Sequence, residues 1–223
     1  MSTFTALVAA LHRECGAAGT APAVTATAGQ DLRLVKWIVE ADYIIQTMWT
    51  DWRFLWAQAS VPTIGSQATL DSSDPSFPAD LNYWDYATFM IDGDPLEVVE
   101  YFDIRGEVLD TNEGQPGRVI VMPDNSLKFE PVPDTVYTIT ADYYSTPVKL
   151  SSGSDTSAIP VEFENAIIGR ALILYANYEN AEEAKIQGME MYEEGKARLE
   201  NSQLPNKQHS RYKQGARIEV IAE

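Results

Sequence analysis

At 223 residues, 45% hydrophobic and 22% charged, the chain has the composition of a soluble globular protein with one sizeable core, alone or with a small inserted subdomain. No apolar run approaches the roughly 18 residues that a membrane-spanning helix needs. Sixteen Lys and Arg against 33 Asp and Glu give a formal charge of −17. This charge argues against general binding to phosphate backbones or anionic membranes. It is compatible with DNA passing close by, and it is equally explained by simple solubility.

Residues 1–56 are predicted to form a helical block. A short helix near Thr3–Cys15 ends at Gly16, and a loop of small residues leads to a long helix within Thr27–Leu55. Thr27 and Gln30 have the spacing of a capping box at its start. Apolar residues recur every three or four positions and form a broad stripe without a charged residue, which Trp37 and Trp49 widen. The stripe comprises Leu34, Ile38, Ala41, Ile45, Met48 and Trp52. It predicts packing or assembly rather than an active site.

Residues 57–147 are predicted to be rich in β-structure, as an antiparallel sheet or small barrel. The clearest hairpin joins Arg118–Met122 to Leu127–Glu130 through a Pro-Asp-Asn-Ser turn. In Val136–Tyr144 polar and apolar residues alternate, with Tyr137, Ile139, Ala141 and Tyr143 on one side. The remaining predicted strands are Ala57–Ile64 with a return strand Ala68–Leu70, then Tyr83–Ile91 and Leu96–Val99.

Residues 148–204 are predicted to return to helices that pack on the first block. After Pro160, one apolar face comprises Phe163, Ile167, Ala171, Leu174 and Tyr178, broadened by Ile168, Leu172 and Tyr175. Asn177–Ala181 is predicted to be a joint. A more polar helix follows to Leu204, with Met189, Tyr192 and Leu199 inward and a solvated row of glutamates, and Pro205 ends it. The predicted fold class is therefore α+β, with a helical bundle formed by both ends of the chain, a β-rich insert and an extended C-terminal arm.

That arm, residues 205–223, is basic, whereas the body is acidic. Lys207–Arg217 contains four basic residues and no acid, and few apolar residues precede Ile218–Ile221. We expect an extended segment that a partner orders. The alternative is a frayed terminus without a role.

The search for catalytic chemistry returns little. A single cysteine, Cys15, cannot form an internal disulfide, no secretion signal is predicted, and the common hydrolase, thiol, zinc and P-loop motifs are missing. Of the two histidines, His12 is expected at the surface or an interface and His209 lies in the arm. No cofactor and no metal are predicted.

Two alternative sites stay open at this point. The carboxylates of the Asp92–Asp103 region, which are Asp92, Asp94, Glu97, Glu100 and Asp103, have the chemistry of a hard-cation site or of an acid–base pair in a glycan hydrolase. Turns also attract aspartate for backbone reasons alone. Tyr83, Trp84 and Tyr86 have the chemistry of a carbohydrate groove, although core packing is the commoner use of such aromatic residues.

A set of short segments in a fixed order resembles the head-to-tail adaptor (connector, neck) proteins of tailed bacteriophages. In chain order they are LVKWI (34–38), DWRFL (51–55), YWD (83–85), PGR (116–118), SLKFEPVPD (126–134), YYSTP (143–147), Ile159-Pro160 with Phe163, RALILYA (170–176) and Leu204-Pro205. These short motifs are structural, so the resemblance carries over no catalytic residue.

The resemblance implies a non-enzymatic structural protein of the virion neck, assembled in the host cytoplasm. It implies a homo-oligomer, a dodecameric ring around the DNA channel, with helices toward the portal protein and the β-rich insert toward the tail tube or nozzle, and a tail fibre or spike as a further partner. It also implies an arm that docks on the portal through Lys207, His209, Arg211, Tyr212, Lys213, Arg217, Ile218, Val220 and Ile221. The expected core and assembly residues of the helices are Leu34, Trp37, Ile38, Ile45, Trp49, Trp52, Phe163, Ile167, Leu174 and Tyr175. Twelve acidic copies repel one another, so ring formation should need apolar contacts and strengthen with salt or divalent ions.

Overall fold

The computed structural model describes residues 2–204, which form the predicted α+β fold. This part of the chain has four α-helices: α1 (Phe4–Glu14), α2 (Gly29–Thr47), α3 (Glu164–Glu179) and α4 (Glu182–Gln203). Its strands are β1 (Trp56–Pro62), β2 (Thr69–Leu70), β3 (Leu81–Trp84), β4 (Met90–Ile91), β5 (Asp94–Pro95), β6 (Glu97–Glu100), β7 (Glu113–Gly114), β8 (Arg118–Val121), β9 (Leu127–Glu130), β10 (Val132–Pro133) and β11 (Thr138–Ser145). The predicted arm lies outside the described residues.

The helices from both ends of the chain pack on each other, as predicted. α1 begins at Thr3, whose hydroxyl accepts a hydrogen bond from the backbone N–H of Ala6 at 3.2 Å. α1 and α2 both contact α3, and α4 packs along α3. The shared core contains Leu34, Ile38, Ile45, Phe163 and Ile167, together with residues of α1 and α4. The packing of terminal helices across the β-rich insert is therefore confirmed.

The helices α3 and α4 approach each other closely because glycines lie between them. A Cβ atom on Gly169 would lie 2.6 Å from the backbone nitrogen of Tyr192, and one on Gly195 would lie 2.7 Å from that of Ala166. Gly188 faces Ile173 in the same way. The helix pair thus has backbone-to-backbone contact that any side chain would obstruct. The predicted joint is confirmed, since Asn180 ends α3 in the left-handed conformation.

The long helix differs from the prediction at both ends. α2 begins after Ala28, which has extended backbone and no side-chain cap, so the Thr27–Gln30 capping box is wrong. The helix ends at Thr47, and a short 3₁₀ helix, Arg53–Leu55, follows. Trp52 lies beyond α2 yet is fully buried, because its indole N–H donates to the Ile45 carbonyl at 3.1 Å and so packs the chain back on the helix.

The strands form three small sheets among the described residues, and none closes into a barrel. One sheet has the order β1-β11-β4-β5, with β3 also paired to β11. A second has the order β2-β9-β8-β6, and β10 pairs with β7. The β8–β9 hairpin is confirmed, and so is the alternation along β11, where Ile139, Ala141 and Tyr143 are buried.

Two strand predictions are wrong, and two pairings are parallel within an otherwise antiparallel arrangement. β2 lies within the predicted return strand Ala68–Leu70, but it pairs with β9 and not with β1, so the predicted pairing is wrong. The pairs β6–β8 and β10–β7 are parallel. The segment Tyr83–Ile91 is not one strand, because the Asp85 carboxylate accepts a hydrogen bond from the Ala87 N–H at 3.1 Å and forms a turn between β3 and β4.

The β-rich part has its own hydrophobic core around Trp84. This indole is fully buried, packs edge-on against Phe77, Phe89 and Tyr143, and donates to the Asn125 carbonyl at 3.0 Å. On β11, Tyr143 belongs to this core, whereas the next residue, Tyr144, belongs to the helical core. Strand β11 therefore contacts both cores. The limits of the predicted domains, at residues 56, 147 and 204, stay a prediction.

Candidate assembly surfaces

Most of the helical residues predicted to drive assembly lie inside a single copy. Leu34, Ile38, Ile45, Trp52, Phe163 and Ile167 are all buried in the helical core. Burying such side chains contributes about 1.5–3 kcal/mol each to folding. In this arrangement they stabilise the monomer and present little surface to a neighbouring copy.

An aromatic surface remains at the junction of α2 and α3. The Trp37 ring lies 6.0 Å from the Tyr175 ring and 5.9 Å from the Tyr178 ring. The Arg33 guanidinium lies 4.1 Å from the centre of the Tyr178 ring, which is 49% exposed. Leu174, on the same helix, is only half-buried. Half-exposed aromatic and arginine side chains are typical of protein–protein contacts.

A second surface lies where the arm leaves the body. Trp49 was predicted to widen the core stripe, but it is 46% exposed, and its indole N–H donates to a Glu200 carboxylate oxygen at 3.1 Å. The Arg53 guanidinium donates to the Ser202 carbonyl at 3.1 Å. These contacts hold the last turn of α4 against the segment before β1. The arm residues from Lys207 to Ile221 lie outside the described residues, so their portal-binding role stays a prediction.

A cleft of about 500 Å³ lies beside the segment that joins β11 to α3. Its walls include Leu55, Ser145, Lys149, Asp155 and Gln46. The Gln46 side chain is buried, and its carbonyl oxygen has no hydrogen-bond partner among the described residues.

A buried polar cluster behind this cleft was missed by the sequence analysis. Asp42 lies on α2, is fully buried, and contradicts the expectation that no charged residue falls on the stripe. Its carboxylate accepts hydrogen bonds from the Ser157 hydroxyl and from the Gln46 amide, the latter at 2.6 Å. Ser157 in turn accepts from the Ile159 N–H at 3.1 Å. The cluster fixes the chain before α3 against α2.

The Asp42 cluster predicts a pH-dependent stability. Burial raises the pKa of Asp42 above its ordinary value, against the opposing effect of its two hydrogen bonds. Between the ordinary pKa and the raised one, the unfolded chain is ionised while the folded chain still holds the proton. The free energy of unfolding of the wild type, relative to Asp42→Asn, should therefore be largest at acid pH and fall as pH rises through this window. Urea unfolding of both proteins between about pH 4 and pH 7 measures the difference.

The Ala variant supplies the control for that measurement. Asp42→Ala should be less stable than Asp42→Asn by about 1–3 kcal/mol at every pH, because neither variant titrates at this position and in the Ala variant the Ser157 hydroxyl and the Gln46 amide lose their acceptor. A difference between wild type and Asp42→Asn that stays flat or grows with pH would contradict the raised pKa.

The two alternative sites do not assemble into a recognisable active site. The Asp92 carboxylate accepts a hydrogen bond from the Thr138 N–H at 2.8 Å, in a turn where Asp92 has positive φ. This is the backbone role that turns give to aspartate. Among residues 2–204, no cluster of three or more His, Cys, Asp or Glu is arranged to hold a metal ion.

The aromatic triplet is not a carbohydrate platform. Trp84 is buried, and Tyr83 stacks on Tyr144 with ring centres 5.1 Å apart, so only Tyr86 is exposed among the three. Core packing is the role that the structure gives to Trp84.

Two smaller predictions are also corrected. His12 is buried on α1 and is not a surface residue. Met189 is 45% exposed, whereas Gly188 and Gly195 lie inward on α4 beside Tyr192 and Leu199. The small volume of glycine on this face lets α4 lie directly on α3, which turns Met189 outward.

The described part of the chain thus presents exposed aromatic surfaces and no recognisable catalytic cluster. The profile of the SU10 adaptor protein family matches residues 2–217, nearly the whole chain. The protein belongs to this bacteriophage adaptor family and is a component of the virion. No curated protein sequence matches it. In residues 2–204, no helix combines the length and apolar character needed to cross a lipid bilayer.

Proposed function

We propose that this protein is a non-enzymatic head-to-tail adaptor that forms a ring on the portal protein and joins it to the tail. The observation that carries the proposal is the family match, which spans the body and continues through the basic stretch of the arm to residue 217. No observation favours the glycan hydrolase or the carbohydrate-binding module. The ring belongs to the neck of the virion and is assembled in the host cytoplasm.

The arm is proposed to bind the portal. Residues 1–204 contain 12 Lys and Arg against 31 Asp and Glu, whereas residues 205–223 contain four against two. Because Trp49 and Arg53 hold the end of α4, the basic arm begins from a fixed point on the acidic body. A basic segment of this kind suits an acidic groove on a partner and gives fast, salt-dependent association.

The ring itself is proposed to contain twelve copies and to surround the DNA channel. The exposed aromatic side chains at the α2–α3 junction and beside the arm, including Trp49 and Tyr178, are candidates for the contacts between copies. The acidic body lets DNA slide without specific binding, because like charges repel. The β-rich part faces the tail tube or nozzle protein, with a tail fibre or spike as a further neighbour.

The test is to mix the purified full chain with the portal protein of the same virus and image the mixture by cryo-EM. We expect a closed ring of twelve copies seated on the portal. Raising the NaCl concentration should strengthen the contacts between copies, because salt screens repulsion between the acidic bodies, and should weaken the attraction between the basic arm and the portal. A full chain that stays monomeric at every salt concentration and leaves the portal bare would overturn the proposal.

A further inference from the structure

Strand β1 has one edge without a partner in the described part of the chain. It pairs only with β11, in the register that places Gln58 opposite Asp142. Continuing that register, the Thr63 N–H donates to the Tyr137 carbonyl at 2.8 Å. In an antiparallel pair such bonded positions recur every second residue, so the odd-numbered residues of β1 bond to β11. The even-numbered residues therefore direct their N–H and C=O groups away from the sheet.

The hydrogen bonds on the other side of β11 show the same alternation between odd- and even-numbered residues. The Asp92 N–H donates to the Thr138 carbonyl at 2.9 Å, and the Asp85 N–H donates to the Asp142 carbonyl at 2.9 Å. The even-numbered residues of β11 thus bond to the β3–β4 side, which leaves its odd-numbered residues for β1. The hydrogen bonds on both sides of β11 therefore leave the same backbone groups of β1 unpaired.

The free edge of β1 has little of the protection that natural edge strands carry. The strand sequence WAQASVP contains no charged residue, and its even-numbered residues are exposed, with Trp56 at 50%. Only Pro62, which lacks an N–H, blunts one end of the strand. Gln58 and Ser60 carry outward N–H groups without a backbone partner among residues 2–204. Soluble proteins normally cover or charge such an edge, since it is a template for a strand from another chain.

The arm begins beside this edge and carries a strand-forming segment. The Arg53 guanidinium donates to the Ser202 carbonyl at the end of α4, and the Arg53 backbone carbonyl accepts a hydrogen bond from the Trp56 N–H at the start of β1. The segment Ile218–Ile221 is rich in β-branched residues and follows 13 residues after Leu204. Thirteen extended residues reach up to about 45 Å, whereas a folded body of this size has a radius of gyration of about 17 Å.

This spacing favours a neighbouring copy as the recipient. The end of α4 already lies beside the start of β1 through Arg53, so pairing with the β1 of its own chain would need only a short connection. The 13-residue connection is long enough to place Ile218–Ile221 about one molecular diameter from the end of α4. Charge agrees, since Asp142 lies beside β1 as a hydrogen-bond partner of Gln58, and Arg217 directly precedes Ile218.

We propose that Ile218–Ile221 of one copy adds as a strand to the free edge of β1 of the next copy in the ring. The inference rests on the proposed ring and deepens it, because it names a contact between copies. Main-chain hydrogen bonds supply the affinity in this mode of recognition, and alternate side chains supply the specificity. The basic residues before Ile218 remain available to the portal.

Site-specific cross-linking of the full chain tests this contact. One variant carries Gln58→Cys and a second carries Val220→Cys, both with Cys15→Ala, and the two are mixed, assembled with portal and treated with a short bismaleimide. We expect a cross-linked product that contains one chain of each kind. The control replaces Gln58→Cys with Glu190→Cys, on the solvent-exposed face of α4, and should give no such product.

A proline variant tests the hydrogen bonds. Ser60→Pro removes one outward N–H and leaves the bonds to β11 intact, so the thermal midpoint of the monomer should match that of Ser60→Ala while the mixed cross-link falls about fivefold. The inference is overturned if rings form on the portal without the mixed cross-link, or if a chain carrying both cysteines cross-links only to itself. The proposed function then stands, because the ring is scored separately. Failure of ring and cross-link together would overturn both.

Discussion

Gly195→Leu is expected to destabilise the helical part by about 3 kcal/mol or more. A Cβ at this position would lie 2.7 Å from the backbone nitrogen of Ala166 and 3.0 Å from its Cα. Neither atom belongs to a flexible side chain that can move aside, so α4 must shift away from α3 as a unit. Overpacking of a core ordinarily costs about 1–3 kcal/mol, and contact with backbone places this site at the upper end of that range or beyond. Urea unfolding followed by circular dichroism measures the loss.

The same helix offers a matched control for the glycine substitution. Ala197→Leu changes an exposed residue two positions away and should leave the free energy of unfolding within about 0.5 kcal/mol of wild type. Gly195→Ala is the finer test. Alanine favours a helix over glycine by about 1 kcal/mol, so a loss of stability in this variant requires the close contact to outweigh the propensity gain. A Gly195→Leu variant as stable as wild type would show that the helices do not touch here.

Deletion of residues 205–223 is expected to abolish portal binding and leave the body folded. Residues of the 2–204 body build both hydrophobic cores described above, so we expect the far-UV spectrum and the unfolding midpoint of the truncated chain to match those of the full chain. Loss of the basic segment removes the charge complementarity proposed to seat the protein on the portal. Pull-down with immobilised portal, together with light scattering of the truncated chain alone, separates binding from folding.

Two full-length variants test whether the basic charges of the arm are what binds the portal. Replacing Lys207, Arg211, Lys213 and Arg217 with glutamine should weaken portal binding about tenfold or more at low salt and flatten its salt dependence. Replacing Glu219 and Glu223 with glutamine should leave binding unchanged or slightly tighter. Undiminished binding by the truncated chain would reject the role of the arm.

Local signals in the sequence predicted the elements whose geometry is set within a few residues. The β8–β9 hairpin follows from turn chemistry, since Asn125 adopts φ of 66° and Asp124 accepts a hydrogen bond from the Ser126 N–H. The β11 alternation follows from the two-residue period of a strand. The boundary between α3 and α4 follows from Asn180, because asparagine tolerates the left-handed conformation.

Pairings between distant segments could not be predicted in the same way. Strand β2 has two residues, too few for a pattern to choose between β1 and β9 as its partner. Asp42 is buried because Ser157, 115 residues away, supplies a hydrogen-bond donor. The residue pattern of α2 contains no information about this distant donor, so the sequence predicted a stripe without charge. The free edge of β1 is likewise a property of the sheet order and not of the strand's own residues.

The pairing of β1 with β11 also bears on mechanical load in a virion. The chain passes from the helical part into the β-rich part at Trp56 and returns at Ser145, and Trp56 lies opposite Tyr144 in the register. Both covalent connections therefore leave the sheet at the same end, through two strands that are bonded side by side. In the arrangement proposed above, tension between the capsid side and the tail side would pull both strands in one direction, so it would load the two connections together and would not shear the β1–β11 ladder.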